Sequence, residues 1–254
     1  MGGVPGRIYA VANQKGGVGK TTTAINLAAC LAEAGERALV VDLDPQANAT
    51  SGLGMHANGV SSYDLLDGAP LSELMQATRF QNLYLVPSKP DLAGAVVELS
   101  RRDDGERFLA QSLADAGRDF SFVFLDCPPS LGPLTVNALA AADRVLVPVQ
   151  AEYYALEGLS QLLHSVELVR RRLNPRLAIA GVLLTMVDRR TRLAADVEAE
   201  VRRHLGNLVF ETAVPRSVRV AEAPSHGLPV IAHDRLSTGA EAYWKVAMEL
   251  VERA

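Results

Sequence analysis

The feature that most constrains the fold is a glycine-rich loop placed between an apolar strand and a helix near the start of the chain. The apolar run Ile8–Ala12 leads into QKGGVGKT, residues 14 to 21, and the pattern over Lys20–Ala34 is helical. Glycines allow backbone N–H groups to approach a phosphate closely, and the start of the following helix adds its positive dipole. Strand, loop and helix in this order predict a phosphate-binding loop.

The residue types in this loop suit a nucleoside triphosphate with its magnesium ion. Lys20 is expected to reach the β- and γ-phosphates, and the hydroxyl of Thr21 is expected to bind Mg²⁺. The usual pattern begins with glycine, whereas Gln14 takes that place here and a further lysine follows it. The residues predicted to bind the nucleotide in this loop are Gly16, Gly17, Val18, Gly19, Lys20, Thr21 and Thr22.

The lysine at the entrance of the loop, Lys15, is surplus to phosphate binding. The chain has 25 basic residues, of which only four are lysine, and two of those four lie in this loop. A compact ammonium on a flexible stem fits here where a planar guanidinium would not. The sequence alone leaves two alternatives open, a solvated loop lysine and a lysine with a role of its own.

Carboxylates end two further predicted strands. Asp42 ends Ala38–Asp42 and is followed by Asp44, while Asp126 ends Phe120–Asp126. Ligands of doubly wound sheets bind beyond the carboxyl ends of the strands, so these side chains are expected near the phosphate loop. Asp44 lies further out than Asp42 and is the candidate for positioning an attacking water, the alternative being a turn residue. Asp126 is expected to meet Mg²⁺ directly or through water, as in a Walker B strand.

Apolar, β-branched runs alternate with helical patterns along the whole chain. This alternation predicts one doubly wound α/β domain over residues 1–254, with a mostly parallel sheet and helices on both faces. The remaining predicted strands are Leu83–Pro87, Arg144–Gln150 and Ala178–Val187. The remaining predicted helices are Leu92–Arg101, Glu106–Ala116, Leu134–Ala141, Leu156–Leu173 and Leu193–Leu205, the last with a buried face of Leu193, Val197, Val201 and Leu205.

The positive charge is concentrated in one part of an acidic chain. Residues 170–219 contain eleven arginines against five acidic residues, a net charge of +6, although the whole chain carries −4. The rest of the sequence therefore has a net charge of −10. This distribution predicts a local anionic partner rather than a generally basic surface.

The motifs in combination resemble the ParA/Soj partitioning ATPases, which belong to the deviant Walker A group of P-loop NTPases together with MinD. The resemblance spans nearly the whole chain and is carried by KGGVGKTTT, VDLDPQANATSGLG, FVFLDCPPS, VPVQAEYYALEGL, TMVDRRT and VPRSVRVAEAPSHGLP. It implies a Mg²⁺-dependent ATPase, with Lys15, Lys20 and Asp44 as the catalytic residues. It also implies that Lys15 reaches across a nucleotide-sandwich dimer to the partner subunit's ATP, in the role of an arginine finger.

The resemblance further implies where the rest of the nucleotide and the interface lie. An adenine site is expected near the stretch Pro215, Arg216, Ser217 and Val218, with Pro215, Arg216 and Val218 named as nucleotide-binding residues. The stretch Gln150–Gly158 is expected near the dimer interface. Within that stretch Glu152 is expected to touch nucleotide across the interface.

The basic region is where this family binds double-stranded DNA without sequence preference. Arg190 and Arg219 match the family's DNA-binding arginines, and phosphate contact requires charge and reach rather than base-edge geometry. Further arginines are expected either to extend this footprint or to form solvated helix faces with local ion pairs: Arg189, Arg192, Arg202, Arg203 and Arg170–Arg172. A ParB/Spo0J-like centromere-binding partner and a cytoplasmic, nucleoid-associated location complete the expectation.

The same fold also serves two other functions, which are the alternatives here. A MinD-like membrane ATPase that positions cell division would end in a basic amphipathic helix. The final stretch STGAEAYWKVAMELVERA has few positive residues, and Tyr243, Val246, Ala247, Leu250 and Val251 suit packing on the core, so no membrane is expected as a partner. A metabolic or redox enzyme is disfavoured because Cys30 and Cys127 do not resemble cluster ligands, and because related synthetases generally lack the Lys15 signature.

Overall fold

A seven-stranded sheet forms the centre of the computed structural model, which describes residues 6–102, 104–152 and 155–253, without the side chains of 155–157. The strands are β1 (Arg7–Val11), β2 (Ala38–Asp42), β3 (Gln76–Ala77), β4 (Leu83–Val86), β5 (Phe122–Asp126), β6 (Arg144–Gln150) and β7 (Ala178–Thr185). Their order is β3-β4-β2-β5-β1-β6-β7. The pairs are parallel except for β3 with β4 at one edge, which confirms the predicted fold class.

Helices cover both faces of this sheet. Within the described ranges they are α1 (Lys20–Glu33), α2 (Asn48–Gly52), α3 (Ser62–Leu66), α4 (Leu71–Leu74), α5 (Leu92–Leu99), α6 (Phe108–Ser112), α7 (Ala116–Asp119), α8 (Pro133–Ala141), α9 (Ala155–Arg172), α10 (Arg192–Leu205), α11 (Val218–Glu222), α12 (Val230–His233) and α13 (Thr238–Glu252). Short 3₁₀ turns at Gly206–Leu208 and Ala223–His226 connect the later helices. None of these helices is both long and apolar enough to cross a bilayer.

The apolar strands alternate between two separate cores because successive side chains of a strand point to opposite faces. In β1, Ile8 and Ala10 join the core on one face, whereas Tyr9 and Val11 join the core on the other. Both sets are buried, which explains why the strand is a continuous apolar run rather than an alternating one. Burial on both faces fixes the register of the central strands, and the register places the functional side chains.

Three sequence expectations about the helices are wrong in detail. The helix predicted over Glu106–Ala116 is two short helices, α6 and α7. Leu193 was expected on the buried face of α10 but is 53% exposed. The helix begins at Arg192, so Leu193 lies in its first turn. Val251 was expected to pack on the core but is exposed, whereas Tyr243 and Leu250 of α13 are buried as predicted.

The strand order brings the candidate site together at one edge of the sheet. β1 lies between β5 and β6, and β2 lies on the far side of β5. The register pairs Asp126 with both Val11 and Asp42, so the phosphate loop and the carboxylates leave the sheet side by side. The carboxyl edge of the central strands is therefore the place to look for the site.

Candidate active site

The conformation of the phosphate loop depends on glycines, and a hydrogen bond from the end of β7 holds the loop in place. Gly17 and Gly19 have φ values of 74° and 87°, a left-handed conformation that glycine adopts without strain. Gly19 is the N-cap residue just before α1, so the first N–H groups of that helix are directed to the loop. Val18 is buried, and its carbonyl accepts a hydrogen bond from Thr185 Oγ1 at 2.8 Å, which holds the loop against β7.

Lys20 is buried at the start of α1 and has only a backbone partner. Its Nζ donates to the carbonyl oxygen of Lys15 at 3.1 Å. Desolvation lowers the pKa of the Lys20 ammonium, and the nearby carboxylate of Asp126 only partly offsets that effect. A buried ammonium without a bonded counter-ion in the described structure suits an anionic ligand such as a phosphate chain.

The two carboxylates that follow β2 have different environments. Asp42 is fully buried, and its Oδ2 accepts from the backbone N and the Oγ1 of Thr50 at 2.8 and 2.7 Å. Burial raises the pKa of Asp42 to about 6. Asp44 lies at the wall of the cavity described below, and its Oδ1 accepts from the backbone N of Gln46 at 2.9 Å. Asp42 therefore holds the loop in place, whereas Asp44 faces the space where a ligand would lie.

Asp126, at the end of β5, is fully buried. Neither of its carboxylate oxygens has a hydrogen bond of good geometry among the described residues, although the Thr21 hydroxyl lies close enough to lower the Asp126 pKa. Burial raises the pKa of Asp126 well above its usual range, and the charge of Asp42 raises it further. Two unpaired buried oxygens are costly unless a cation approaches them, so this carboxylate fits Mg²⁺, which prefers oxygen ligands.

A cavity of about 560 Å³ opens beside the phosphate loop, within the size range of small-ligand sites. Of the residues predicted to bind nucleotide or to catalyse, the structure places these in its wall: Gly16, Gly17, Gly19, Lys20, Thr21, Thr22, Asp44, Pro215 and Arg216. The fully buried Asp126, expected as a metal ligand, lies at the end of β5 and is not part of this wall.

The far end of the cavity is formed where two loops run side by side. Val187, just after β7, pairs with Pro215 in a short parallel bridge, and the N–H of Arg216 donates to the carbonyl of Val187. Val218 was expected here, but it is 70% exposed and lies outside the wall. Ser217, of the same predicted stretch, lines the cavity, and Val220 lines it in place of Val218, because Val218 is the first residue of α11 and faces away.

Lys15 and Glu152 lie outside the cavity and contact each other. Lys15 Nζ donates to Glu152 Oε2 at 2.5 Å, and both side chains are 46% exposed. The backbone N of Lys15 donates to Asn13 Oδ1, and Asn13 in turn donates to the carbonyl of Pro148. The entrance lysine therefore points away from its own phosphate loop, towards the surface of the molecule. Residues 153 and 154 of the predicted interface stretch lie outside the described residues.

The arginines of the basic region differ in what they contact. Arg190 is exposed and forms an ion pair with Asp188, while Arg219 contacts Glu222 and Asp234. Arg202 is tied down by Glu198 and by the carbonyls of Phe210 and Glu211, which is a structural role. Ion pairs within their own helices also hold Arg170, Arg171 and Arg203.

Sequence reasoning missed several residues of the cavity wall, among them Asn26, Met186 and Tyr243. Tyr243 was interpreted as a core residue, and it is buried, but its hydroxyl lies 3.4 Å from Thr23 Oγ1 at the edge of the cavity. Asn26 donates to the carbonyl of Thr22 and accepts from the N–H of Val230, which joins α1 to α12. A buried asparagine in an otherwise apolar helix was the signal that could have found it.

Comparison with known proteins gives consistent matches. A family model described as an AAA domain matches residues 6–179. Chromosome-partitioning ATPase Soj of Thermus thermophilus is 56% identical over 248 residues, covering 97% of this chain and 96% of that protein. Sporulation initiation inhibitor protein Soj of Bacillus subtilis is 51% identical over 248 residues, covering 96% of this chain and 98% of that protein. A solved structure of cobyrinic acid a,c-diamide synthase from Mycobacterium smegmatis, with bound ATP analog and magnesium, has a TM-score of 0.85 at 39% identity, covering 97% and 95% of the two chains.

The fold and the cavity define a P-loop ATPase with a parallel α/β sheet. The chain belongs to the ParA/Soj family of chromosome-partitioning ATPases. The predicted family and the predicted ATPase activity are therefore confirmed. The structure named as a synthase is less identical to this chain than either Soj protein.

Asp44→Ala is expected to slow ATP hydrolysis by about 10²- to 10⁴-fold while leaving ATP binding intact. The reason is that Asp44 lines the cavity but is not part of the phosphate loop, so the substitution removes the carboxylate predicted to position the attacking water and leaves the phosphate contacts in place. Phosphate release under saturating ATP measures the effect, and Asp115→Ala, at an exposed carboxylate of the acidic part, is the matched control. A wild-type rate for Asp44→Ala would show that this residue only shapes a turn.

Proposed function

We propose that this chain acts as one ATPase domain, residues 1–254, that segregates DNA by cycles of ATP binding and hydrolysis. ATP with Mg²⁺ occupies the cavity and drives two copies into a sandwich dimer, which binds double-stranded DNA without sequence preference. A ParB/Spo0J-like centromere-binding protein stimulates hydrolysis, and hydrolysis releases the DNA. The observation that best supports the proposal is the composition of the cavity wall. Residues Pro215–Ser217 line the cavity, and the same segment continues to Arg219, a proposed DNA-binding residue, so one segment connects the two sites.

The nucleotide part of the proposal rests on the electrostatics of the cavity. Lys20 is a buried ammonium without a bonded anion, and Asp126 is a buried carboxylate without a bonded cation, among the described residues. A triphosphate and its magnesium ion satisfy both groups at once, with Thr21 and Asp126 as the metal-binding side chains. The related structure that was solved with an ATP analog and magnesium supports this assignment.

The chemical step assigns a separate task to each of three residues. Lys20 holds the β- and γ-phosphates, and the glycine loop around it supplies backbone N–H groups. Asp44, which also lines the cavity, orients the attacking water. Thr21 and Asp126 would hold the Mg²⁺ ion, which would supply positive charge to the phosphates. Positive charge is still lacking where the transferring phosphoryl group becomes more negative, and Lys15 of a second copy supplies it.

The exposed position of Lys15 supports its action on a second copy. Its ammonium is held by Glu152 at the surface, on the outer side of the loop rather than over its own cavity. An exposed ion pair of this kind is worth about 0–1 kcal/mol, so it opens readily when a stronger anion is offered. In the dimer Lys15 leaves Glu152 for the partner subunit's ATP, and Glu152 approaches the same nucleotide.

The DNA part of the proposal rests on charge and on dimer formation. One protomer carries a net charge of −4, but its basic region of residues 170–219 carries +6. Two copies joined by ATP align two such regions, which raises the number of phosphates contacted at once and therefore the affinity. This is the physical reason for ATP-dependent DNA binding. A protein that binds DNA in this way is expected on the nucleoid in the cytoplasm.

The packing of α13 opposes the membrane alternative. A membrane-bound relative of the MinD type needs a helix with an apolar face free for lipid. Here the apolar face of α13 is buried against α1, with Tyr243, Val246 and Leu250 almost fully covered. Co-sedimentation with anionic liposomes in the presence of ATP separates the two functions, and the proposal predicts that the protein stays in the supernatant.

Arg190→Ala and Arg219→Ala are each expected to weaken ATP-dependent binding to any duplex by a similar factor. Neutralising a phosphate releases counter-ions, so the logarithm of the affinity falls linearly with the logarithm of the salt concentration. Each lost contact makes that slope shallower by about 1 per site, or by about 2 for a symmetric dimer. The measurement is a salt titration of binding to two duplexes of unrelated sequence.

Arg118→Ala is the matched control for both variants. Arg118 is an exposed arginine paired with Asp115, and it lies outside the basic region. The Arg118→Ala substitution removes one positive charge, as the other two do, but it is expected to leave the slope of affinity against salt unchanged. An unchanged slope for Arg190→Ala and Arg219→Ala would show that these arginines do not touch the DNA backbone, and a loss on one duplex only would indicate base recognition.

A further inference from the structure

The two arginines proposed to bind DNA are each already held by carboxylates of the same chain. Arg190 forms a bidentate ion pair with Asp188, in which Nε donates to Oδ1 at 2.9 Å and Nη2 donates to Oδ2 at 2.8 Å. Arg219 lies between two acids, with Nη1 3.2 Å from Glu222 Oε2 and Nε 3.2 Å from Asp234 Oδ2. The charge that a DNA phosphate would use is neutralised within the protomer at both positions.

The ion pair of Arg190 with Asp188 has shorter and better-defined hydrogen bonds than the contacts of Arg219. Two parallel N–H to oxygen bonds give the bidentate arrangement that a guanidinium also forms with a phosphate. The backbone N–H of Arg190 adds a third bond, to Oδ1 at 3.1 Å. The same guanidinium face cannot hold Asp188 and a DNA phosphate together, so the two anions compete for it.

We propose that Asp188 is an affinity-lowering residue for DNA, which competes with the phosphate backbone for Arg190. This inference rests on the proposed function. Each protomer must exchange its Asp188 contact for a phosphate contact, and a dimer makes that exchange twice. Affinity then depends on how many contacts form together, which favours the ATP-bound dimer over the monomer and keeps its DNA binding reversible. Glu222 and Asp234 act on Arg219 in the same way.

The carboxylate stays charged under ordinary conditions. The hydrogen bonds from the Arg190 side chain, and then from its backbone, lower the pKa of Asp188 to about 2. Protonation therefore plays no part near neutral pH, and the pair opens by competition with another anion. The part of Asp188 that shapes the loop is its carbonyl, which accepts from the N and the Oγ1 of Thr191 at 3.1 and 3.0 Å.

Asp188→Asn is the direct test because it removes the charge and keeps the shape. The asparagine carbonyl can still accept from the Arg190 N–H, and the backbone bonds to Thr191 do not involve the side chain. We expect ATP-dependent duplex binding to tighten by about 5-fold per site, or about 25-fold for a symmetric dimer, at low salt. ATP affinity and the mass of the ATP-bound dimer should not change.

Asp196→Asn is the matched control, because it makes the same change of charge within the basic region. Asp196 is exposed on α10 and forms no ion pair within the described part of the chain. It is expected to tighten binding by about 2-fold or less, through long-range charge alone. In an Arg190→Ala background, Asp188→Asn should tighten duplex binding no more than this control does, because the arginine for which Asp188 and the phosphate compete is then absent.

The outcomes separate this inference from the proposed function. Equal tightening by Asp188→Asn and Asp196→Asn would overturn the inference and leave ATP-dependent DNA binding in place. Tightening by Asp188→Asn that persists in the Arg190→Ala background would also overturn it. If the wild-type protein with ATP binds neither duplex, the proposed function is wrong, and the inference fails with it.

Discussion

Lys20→Ala is expected to weaken ATP binding by about 100-fold or more. The Lys20 ammonium is the buried positive charge at the base of the phosphate loop, and its only hydrogen-bond partner in the described structure is the carbonyl of Lys15. Its loss leaves the phosphate charge uncompensated where water is excluded, which costs about 2–5 kcal/mol in comparable buried pairs. Isothermal titration calorimetry with ATP and Mg²⁺ measures the loss.

The unliganded protein should tolerate this change well. Desolvation lowers the pKa of Lys20, which shows that the buried ammonium is poorly compensated without ligand. The melting temperature without nucleotide should therefore stay close to that of the wild type, so a loss of ATP binding cannot be ascribed to unfolding. Lys245→Ala, at an exposed lysine paired with Glu241, is the control for general charge. An unchanged ATP affinity for Lys20→Ala would refute the phosphate-loop assignment.

Lys15→Ala is expected to lower hydrolysis by about 10³-fold or more, which is the lower end of what a cationic finger contributes in phosphoryl transfer. ATP should still bind, because Lys15 is exposed and lies outside the cavity wall. The sandwich dimer should fail to form, because the partner subunit's phosphates lose their cross-interface cation. Light scattering with ATP measures the mass, and phosphate release measures the rate.

Lys89→Ala serves as the control for this experiment, since Lys89 also pairs with a nearby exposed carboxylate, Asp91. It should dimerise and hydrolyse ATP like the wild type. A Lys15→Ala protein that forms a normal ATP-dependent dimer would show that the entrance lysine does not act across the interface. Loss of ATP binding itself would instead place Lys15 in the site of its own protomer.

Much of the fold could be predicted because its signals are local. The glycine loop between strand and helix, and the apolar runs ending in Asp42 and Asp126, depend on neighbouring residues only. The topology then follows from the rule that parallel strands joined by helices share a carboxyl edge. Local signals also explain the errors, since the pattern over Glu106–Ala116 does not show that the chain turns between α6 and α7.

The parts that could not be predicted join residues far apart in the sequence. The contact between Lys15 and Glu152 spans 137 positions, and the bridge between Val187 and Pro215 decides which residues of that segment face the cavity. Val218 was assigned to the nucleotide by its place in a motif, although α11 turns it outwards. The proposed competition between Asp188 and DNA for Arg190 involves neighbouring residues, but it depends on side-chain geometry, which a charge count cannot show.

The most direct test of the central claim is sedimentation velocity of the wild-type protein with a labelled duplex, in parallel runs with ATP, with ADP and without nucleotide. The account predicts that with ATP the duplex sediments together with protein, and that the protein is bound as dimers. The result should be the same for two duplexes of unrelated sequence. With ADP, or without nucleotide, it predicts monomeric protein and free duplex. Duplex that sediments with monomeric protein regardless of nucleotide would contradict the account, because DNA binding would then depend on neither ATP nor the dimer.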